Sequence, residues 1–360
     1  MYRFLQFRRN FLALLAGSAL AICLTGSAFA QKYAQANLVS DIPGVAVVTD
    51  KNLVNPWGIA NGPTSPFWIN TNGTGLSELF AKDGTPIAQL RSVRIPPPRG
   101  STGPSAPTGI VFNGTPDFVV SGNGTSVPSI FIFATEDGTI SGWNPQVALR
   151  RAVLAVDNSG IGAVYKGLAF AQTANGNFIY ATNFFNGSVE MYDTNFQLVK
   201  TFTDITLPPG YAPFGIQRIG SLLYVTFAKQ NDEKHDDVSG PGHGFVDVFN
   251  FQGRMVKRFA SGGVLNSPWG LAKAPANFGK FSGDILVGNF GNGHINAFDP
   301  TTGAFVGSLR DLQSKVISID GLWTLIFGNG GSTGARNALF FTAGLDDESH
   351  GLFGVLKAIP

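Results

Sequence analysis

The segments Trp57-Gly-Ile-Ala-Asn61, Phe67-Trp-Ile-Asn-Thr-Asn72, Leu76-Ser-Glu-Leu-Phe-Ala-Lys82 and Ile87 to Ser92 are four short apolar stretches parted by Gly and Pro turns. Alternation of this kind between turn residues reads as four strands. The unit then recurs. Its anchoring glycines are Gly58, Gly109, Gly167, Gly215, Gly270 and Gly321, separated by 51, 58, 48, 55 and 51 residues. A period near fifty with four strands per unit is the signature of propeller blades, because such strands bury their second face only against a neighbouring blade.

Second strands are expected at Phe118 to Asn123, Tyr180 to Asn183, Tyr224 to Phe227, Leu286 to Asn289 and Phe340 to Ala343. Third strands are expected at Ser129 to Ala134, Ser188 to Tyr192, Phe245 to Phe249, His294 to Phe298 and Leu352 to Leu356. The sixth unit stops after its third strand, whereas Ala34 to Ser40 is surplus to the first and has the alternation to replace the missing one. An N-terminal strand that completes the last blade removes an exposed edge. The expectation is an all-β, six-bladed β-propeller closed by its N-terminal strand. Its blades fall at about 55–92, 106–156, 165–204, 212–261, 267–311 and 318–360, with the closing strand at 34–40. Composition agrees: 46 glycines, only 13% charged residues and no long helical period.

The first thirty residues read as an export signal. Arg3, Arg8 and Arg9 precede an apolar run from Phe11 to Gly26 and a small-residue site at Ala28-Phe29-Ala30. The alternative, a membrane anchor, conflicts with the shortness of the apolar run. Arg8-Arg9-Asn10-Phe11-Leu12 also fits a twin-arginine signal, with Phe7 where Ser or Thr is usual. The expected product starts at Gln31, is periplasmic or extracellular, and keeps no stable membrane anchor. Cleavage takes three Arg and no acid from a chain of 25 basic and 23 acidic residues, leaving a net charge of about −1. Nucleic acid is therefore not an expected partner. Cys23, the single cysteine, lies in the signal, so the product has no thiol or disulfide.

Several stretches carry a family resemblance: Asn55-Pro-Trp-Gly58, His235 to Phe249, Ser267-Pro-Trp-Gly-Leu-Ala272, Ala276 to Phe281, Asn296 to Gly303, Ile319-Asp-Gly-Leu-Trp323 and His350-Gly-Leu-Phe353. They resemble an uncharacterised family of exported bacterial β-propellers, many with a PEP-CTERM sorting tail, distantly similar to NHL-type and gluconolactonase-type propellers. The resemblance spans nearly the whole chain after the signal and implies fold and location. It implies no activity, and no such tail follows the last strand here.

The residue before each anchoring glycine is expected to ring the channel mouth: Trp57, Thr108, Lys166, Phe214, Trp269 and Asp320. Blades three and six face each other, which sets Lys166 across from Asp320. Aromatic rings with a few fixed polar groups suit a small polar or sugar-like ligand; alternatively, Trp57 and Trp269 wedge between blades while Lys166 and Asp320 are solvated or paired. Asn72, Asn123, Asn183 and Asn289 end second strands, where amide oxygens suit a hard cation such as calcium, or simply cap turns. A long insertion, Lys229 to Gly244, gathers Asp232, Glu233, His235, Asp236, Asp237 and His243, residue types that bind divalent metal or move protons. A charged flap explains it equally. Asp346, Asp347, Glu348 and His350 occupy the matching loop of the sixth unit.

Two motifs carry no chemistry. Gly330-Gly331-Ser332-Thr333-Gly334 has the spacing of a nucleophile elbow without the following helix. Asn-Gly-Thr and Asn-Gly-Ser at Asn72, Asn113, Asn123 and Asn186 read as turns, not as glycosylation sites. Three functions remain: a noncatalytic binding module for a small molecule, glycan or peptide; a calcium-dependent hydrolase or lactonase built on Asp320 with Asn183, Asn289 and the His235, Asp236, Asp237 loop; and an interaction scaffold for envelope or matrix components. Oligomeric state is left open.

Overall fold

The structure is a computed structural model and describes residues 32–359. The signal-peptide and cysteine expectations lie outside those residues. Six four-stranded antiparallel sheets follow one another along the chain, each starting with an inner strand: Pro56–Ala60, Pro107–Phe112, Tyr165–Thr173, Tyr211–Ile219, Pro268–Lys273 and Leu322–Phe327. The chain is a six-bladed β-propeller. Its last blade has His350–Ile359 as third strand, and Lys32–Ser40 pairs with it antiparallel from Lys32 opposite Ile359 to Ser40 opposite Leu352. Val48–Thr49 adds a short parallel strand outside. Tyr33, fully buried, locks the closure by donating its hydroxyl to the Phe278 carbonyl of blade five at 3.0 Å.

Glycine is required where inner strands of adjacent blades meet. A Cβ on Gly58 would lie 2.3 Å from the Thr108 carbonyl oxygen, and one on Gly109 would lie 2.4 Å from the Leu168 nitrogen. One on Gly215 would lie 2.1 Å from the Trp269 oxygen, and one on Gly270 2.4 Å from the Trp323 oxygen. The sixth position departs from expectation. Register places Thr324 there, 54 residues after Gly270, while Gly321 lies before the strand with φ +58°. Thr324 fits because its Oγ1 donates to the Trp57 carbonyl at 2.7 Å, turning a clash into a bond.

Blade two also differs. Phe118–Asn123 is not its second strand; Phe131–Thr135 and Thr139–Trp143 are the second and third, followed by Val153–Asp157. Val119–Gly122 instead folds onto Thr125–Pro128 as a separate hairpin. Asn123 and Gly124 both have positive φ, +54° and +75°, the geometry that Asn-Gly supplies to a two-residue hairpin turn. In blade one the outer strand is Ser92–Arg94, later than expected, because Pro86 first bridges back to Phe80.

Third strands share a pattern around one buried polar residue: Glu78, Ser141, Glu190, Asp247 and Asn296, opposite Ile69, Phe133, Ala181, Val225 and Val287. Each is handled differently. Glu190 accepts from the Tyr165 and Tyr192 hydroxyls at 2.7 and 2.5 Å and from Asn183 Nδ2 at 2.7 Å, and burial raises both phenols so that they remain donors. Asp247 pairs with Arg258, which also holds Asp204. Glu78 accepts from Asn52 through one oxygen, while its other oxygen has no partner among the described residues; burial and neighbouring Asp50 push it up to about 8, so it is protonated at neutral pH.

Gly109→Ala should therefore cost more than about 2 kcal/mol in urea denaturation, since backbone must move. Gly160→Ala, with open space around its Cα, should change stability by less than about 0.5 kcal/mol. Equal effects of the two would remove the close-approach explanation.

Candidate functional site at the channel mouth

The six residues that precede the anchoring positions are Trp57, Thr108, Lys166, Phe214, Trp269 and Trp323. Trp323, not Asp320, is the sixth member; the blade-six carboxyl whose charge acts on Lys166 is Glu348, from the loop above. The rings close the channel. Trp57 stacks on Trp323 with centroids 3.5 Å apart, Phe290 stacks on the other side of Trp323 at 4.1 Å, and Trp269 meets Trp323 edge-on at 5.7 Å. Phe214 and Phe184 complete the plug. Trp57, Phe214 and Trp269 are consequently buried against one another, 1%, 0% and 8% exposed, and offer no open stacking platform. Below them is a recess of about 40 Å³, walled by the inner strands of all six blades.

Lys166 is 1% exposed, yet it is held charged. Burial opposes the charge, but Glu136 pairs with the ammonium, Asp236 lies 3.3 Å away, and the net effect raises the lysine. The ammonium also lies over Trp57 at 5.1 Å and Phe184 at 5.7 Å, where ring quadrupoles favour a cation. A lysine so held has no free amine to act as base or nucleophile near neutral pH. Asn72 Nδ2 donates to the second Glu136 oxygen at 2.7 Å.

The blade-four insertion does reach this face. Gln230 Nε2 donates to the Phe184 carbonyl at 2.6 Å, and Asp236 bridges Lys166 and His235, the latter at 2.9 Å. The His235 hydrogen bond and then Lys166 bring Asp236 down to about 2, while Asp236 raises His235. Asp237 turns away toward Ser239 at 3.1 Å, and burial raises it.

Opposite, the sixth-blade loop carries three successive non-glycine residues in the left-handed region, Asp346, Asp347 and Glu348, with φ +49°, +50° and +66°. That conformation costs roughly 1–2 kcal/mol per residue. It delivers Glu348 to Asn55, whose Nδ2 donates to the carboxylate at 2.5 Å while its Oδ1 accepts from Trp323 Nε1 at 3.0 Å. Burial and the nearby charge of Glu136 push Glu348 up to about 7. Asp320 accepts the Asp346 backbone N–H at 2.9 Å. Asp320, Asp347, Glu348, Ser239 and Phe290 line a recess of about 140 Å³.

The expected cation ligands do not converge. Asn183 is spent on Glu190 and on the Val164 backbone N–H, and Asn123 Nδ2 donates to the Val147 carbonyl in the hairpin; Asn289 Nδ2 donates to the Val264 carbonyl and Asn292, while its buried Oδ1 has no partner among the described residues. Glu136, His235 and Asp236 do place one ligand atom each within 4.8 Å of one another. The Lys166 ammonium, however, bonds two of the three, and a divalent ion there would face a fixed positive charge. The donor set does not fit a metal.

With the site in place, similarity to other proteins adds lineage. The chain is 34% identical over 327 residues to uncharacterized protein R648 of Acanthamoeba polyphaga mimivirus, covering 88% of this chain and 78% of that protein. It is 32% identical over 328 residues to uncharacterized protein L690 of the same virus, covering 89% and 84%. The chain belongs to the family of these mimivirus proteins. Since these members are viral, they lend no support to a bacterial family defined by export or a PEP-CTERM tail. No family model matches the chain. Among solved structures, a streptogramin B lyase superposes with TM-score 0.51 at 11% identity over 91% of this chain and 98% of its own. A catalytically inactive virginiamycin B lyase from Staphylococcus aureus with quinupristin gives 0.52 at 12%, over 92% and 100%. At that identity the likeness shows the propeller fold alone.

Sequence reasoning found Lys166 and the two loops. It missed Glu136, Asn55 and Trp323. Glu136 follows the true second strand of blade two, which the inserted hairpin disguised, and Trp323 was hidden by the threonine after it.

Wild-type melting should move by less than about 1 °C between calcium and chelator, because Lys166 already supplies the cation. Lys166→Met should lose about 2–4 kcal/mol by leaving carboxylates unpaired, and should then gain stability with calcium. A rise of several degrees for the wild type with calcium would refute the ammonium account.

Proposed function

We propose that the protein is a noncatalytic binding propeller which holds a small, positively charged organic ligand in the mouth recess. One observation carries this reading. Three carboxyl groups, Asp320, Asp347 and Glu348, line the recess beside the Phe290 ring, and among the described residues no basic side chain lines it. Carboxylates and an aromatic face together favour an ammonium or guanidinium group. The strained Asp346 to Glu348 turn holds these carboxyls at the recess through the Glu348–Asn55 and Asp346–Asp320 bonds. A hydrolase reading would leave Glu348 as the carboxyl poised for proton transfer, because Asp236 is far too acidic. It lacks the converging calcium ligands of a lactonase-like centre. Export of the chain, with cleavage before Gln31, belongs to the same proposal and rests on Arg3, Arg8, Arg9 and Ala28-Phe29-Ala30.

Calorimetry of residues 31–360 against small amines and amino sugars should detect binding that neutral sugars of equal size do not show. The sign of the pH dependence follows from Glu348. A cation favours its ionised form, so affinity should rise about ten-fold from pH 6 to pH 8 and level off above its value of about 7. Glu348→Gln should flatten that profile. Equal binding of neutral sugars would shift the reading to a glycan module, and failure of every small ligand would favour a scaffold. For export, amino-terminal sequencing of the product from a secreting host should begin at Gln31; retention of residues 1–30 would refute cleavage.

A further inference from the structure

The hairpin inserted in blade two serves no purpose in closing the ring, so the question is what it covers. It roofs a cavity of about 380 Å³ on the flank of the molecule, between the outer strands of blades one and two. Cavities of that size are in the range of small-molecule sites.

The floor is set by a parallel bridge. Arg94 N donates to the Arg150 carbonyl at 2.9 Å, and Ala152 N donates to the Arg94 carbonyl at 2.9 Å, which pairs Arg94 with Arg151. Bridged residues in a sheet share a face. Since Val93, Ile95 and Ala152 point inward and are buried, Arg94 and Arg151 both project outward, where they line the cavity. Neither guanidinium has an ion pair or hydrogen bond among the described residues, and no carboxylate lines the cavity. Apolar walls come from Pro96, Pro97, Val147 and Leu154.

The roof is fixed. Asn123 Nδ2 donates to the Val147 carbonyl at 2.8 Å, and a Cβ on Gly122 would lie 2.9 Å from Val147 Cγ1, so the hairpin tip is seated closely on the wall. The hairpin that covers the cavity is thus tied down, while the two charges beneath it are left without partners.

We infer that this cavity binds a small organic anion, one carboxylate, sulfonate or phosphate group joined to a flat apolar body. The anionic head lies between Arg94 and Arg151, whose planar forks match such groups in paired hydrogen bonds, and the body lies against the prolines, Val147 and Leu154. The site is separate from the mouth in position and opposite in charge preference.

The probes are naphthalene-2-carboxylate, its neutral analogue naphthalene-2-methanol and inorganic phosphate, titrated against residues 31–360 by calorimetry and by NMR of the arginine side chains. The carboxylate should bind at least ten-fold tighter than either comparison compound and shift the Arg94 and Arg151 resonances. In the Arg94→Gln, Arg151→Gln double variant, which alters exposed side chains only, its affinity should fall at least ten-fold while Glu348-dependent amine binding stays unchanged. Undiminished binding in the double variant, equal binding of the alcohol or of phosphate, or no binding of the carboxylate would each overturn the inference. The arginine resonances of the wild type decide the matter even if the double variant fails to fold.

Discussion

Everything in this molecule depends on how closely six inner strands can approach around one axis. At that radius a single Cβ is too large for several of the positions, so Gly58, Gly109, Gly215 and Gly270 meet neighbouring backbone directly. Side chains of the preceding blade then capture the carbonyls that this packing would otherwise strand. Thr342 and Thr324 donate to the Trp57 carbonyl, Thr182 to that of Phe214 and Asn70 to that of Thr108. Buried carbonyls without partners are costly, so these bonds fix the angle between blades as well as the contact. The aromatic plug and the loops above it inherit their positions from that ring.

Charge is arranged in layers above the plug. Lys166 brings its own cation into the mouth and is neutralised on the spot by Glu136 and Asp236, which leaves the carboxyls of the sixth-blade side with no basic partner in their recess. Burial first and the charge of Glu136 second raise Glu348, against the weaker pull of Lys166. A chain with a formal net charge of only +2 thus holds an acidic recess at one place and, among the described residues, an unpaired pair of arginines at another. Net charge alone gives no hint of either.

The parts of the fold that repeat were readable in the residues. Glycine spacing gave the blade count, and the surplus strand before the first blade matched the vacancy after the last. Departures from the repeat were not. Thr324 does by hydrogen bonding what glycine does by size elsewhere, so a search for glycine slipped three residues to Gly321 and put Asp320 in the place of Trp323. In blade two, Phe118 to Asn123 alternates like any second strand. Asn123-Gly124 reads as a turn, but alternation alone does not say that this turn closes a separate hairpin and not the gap between second and third strands. That ambiguity hid Glu136 and with it the partner of Lys166. The strand-end asparagines serve local bonds first: Asn183 is engaged through both its amide nitrogen and its oxygen, while Asn289 donates through its nitrogen and keeps a buried Oδ1 without a partner among the described residues.

The closing strand has a mechanical consequence. Lys32 lies opposite Ile359, and from that point the two strands run antiparallel to Ser40 and Leu352. The free ends of the described chain therefore leave from the same end of one ladder. A pull applied between them loads the backbone bonds one at a time, as in opening a zip, instead of shearing all of them together. The seam yields at low force along that direction, and the other five blades are loaded only after it opens. Attachment through both termini would make blade six the fuse of the ring.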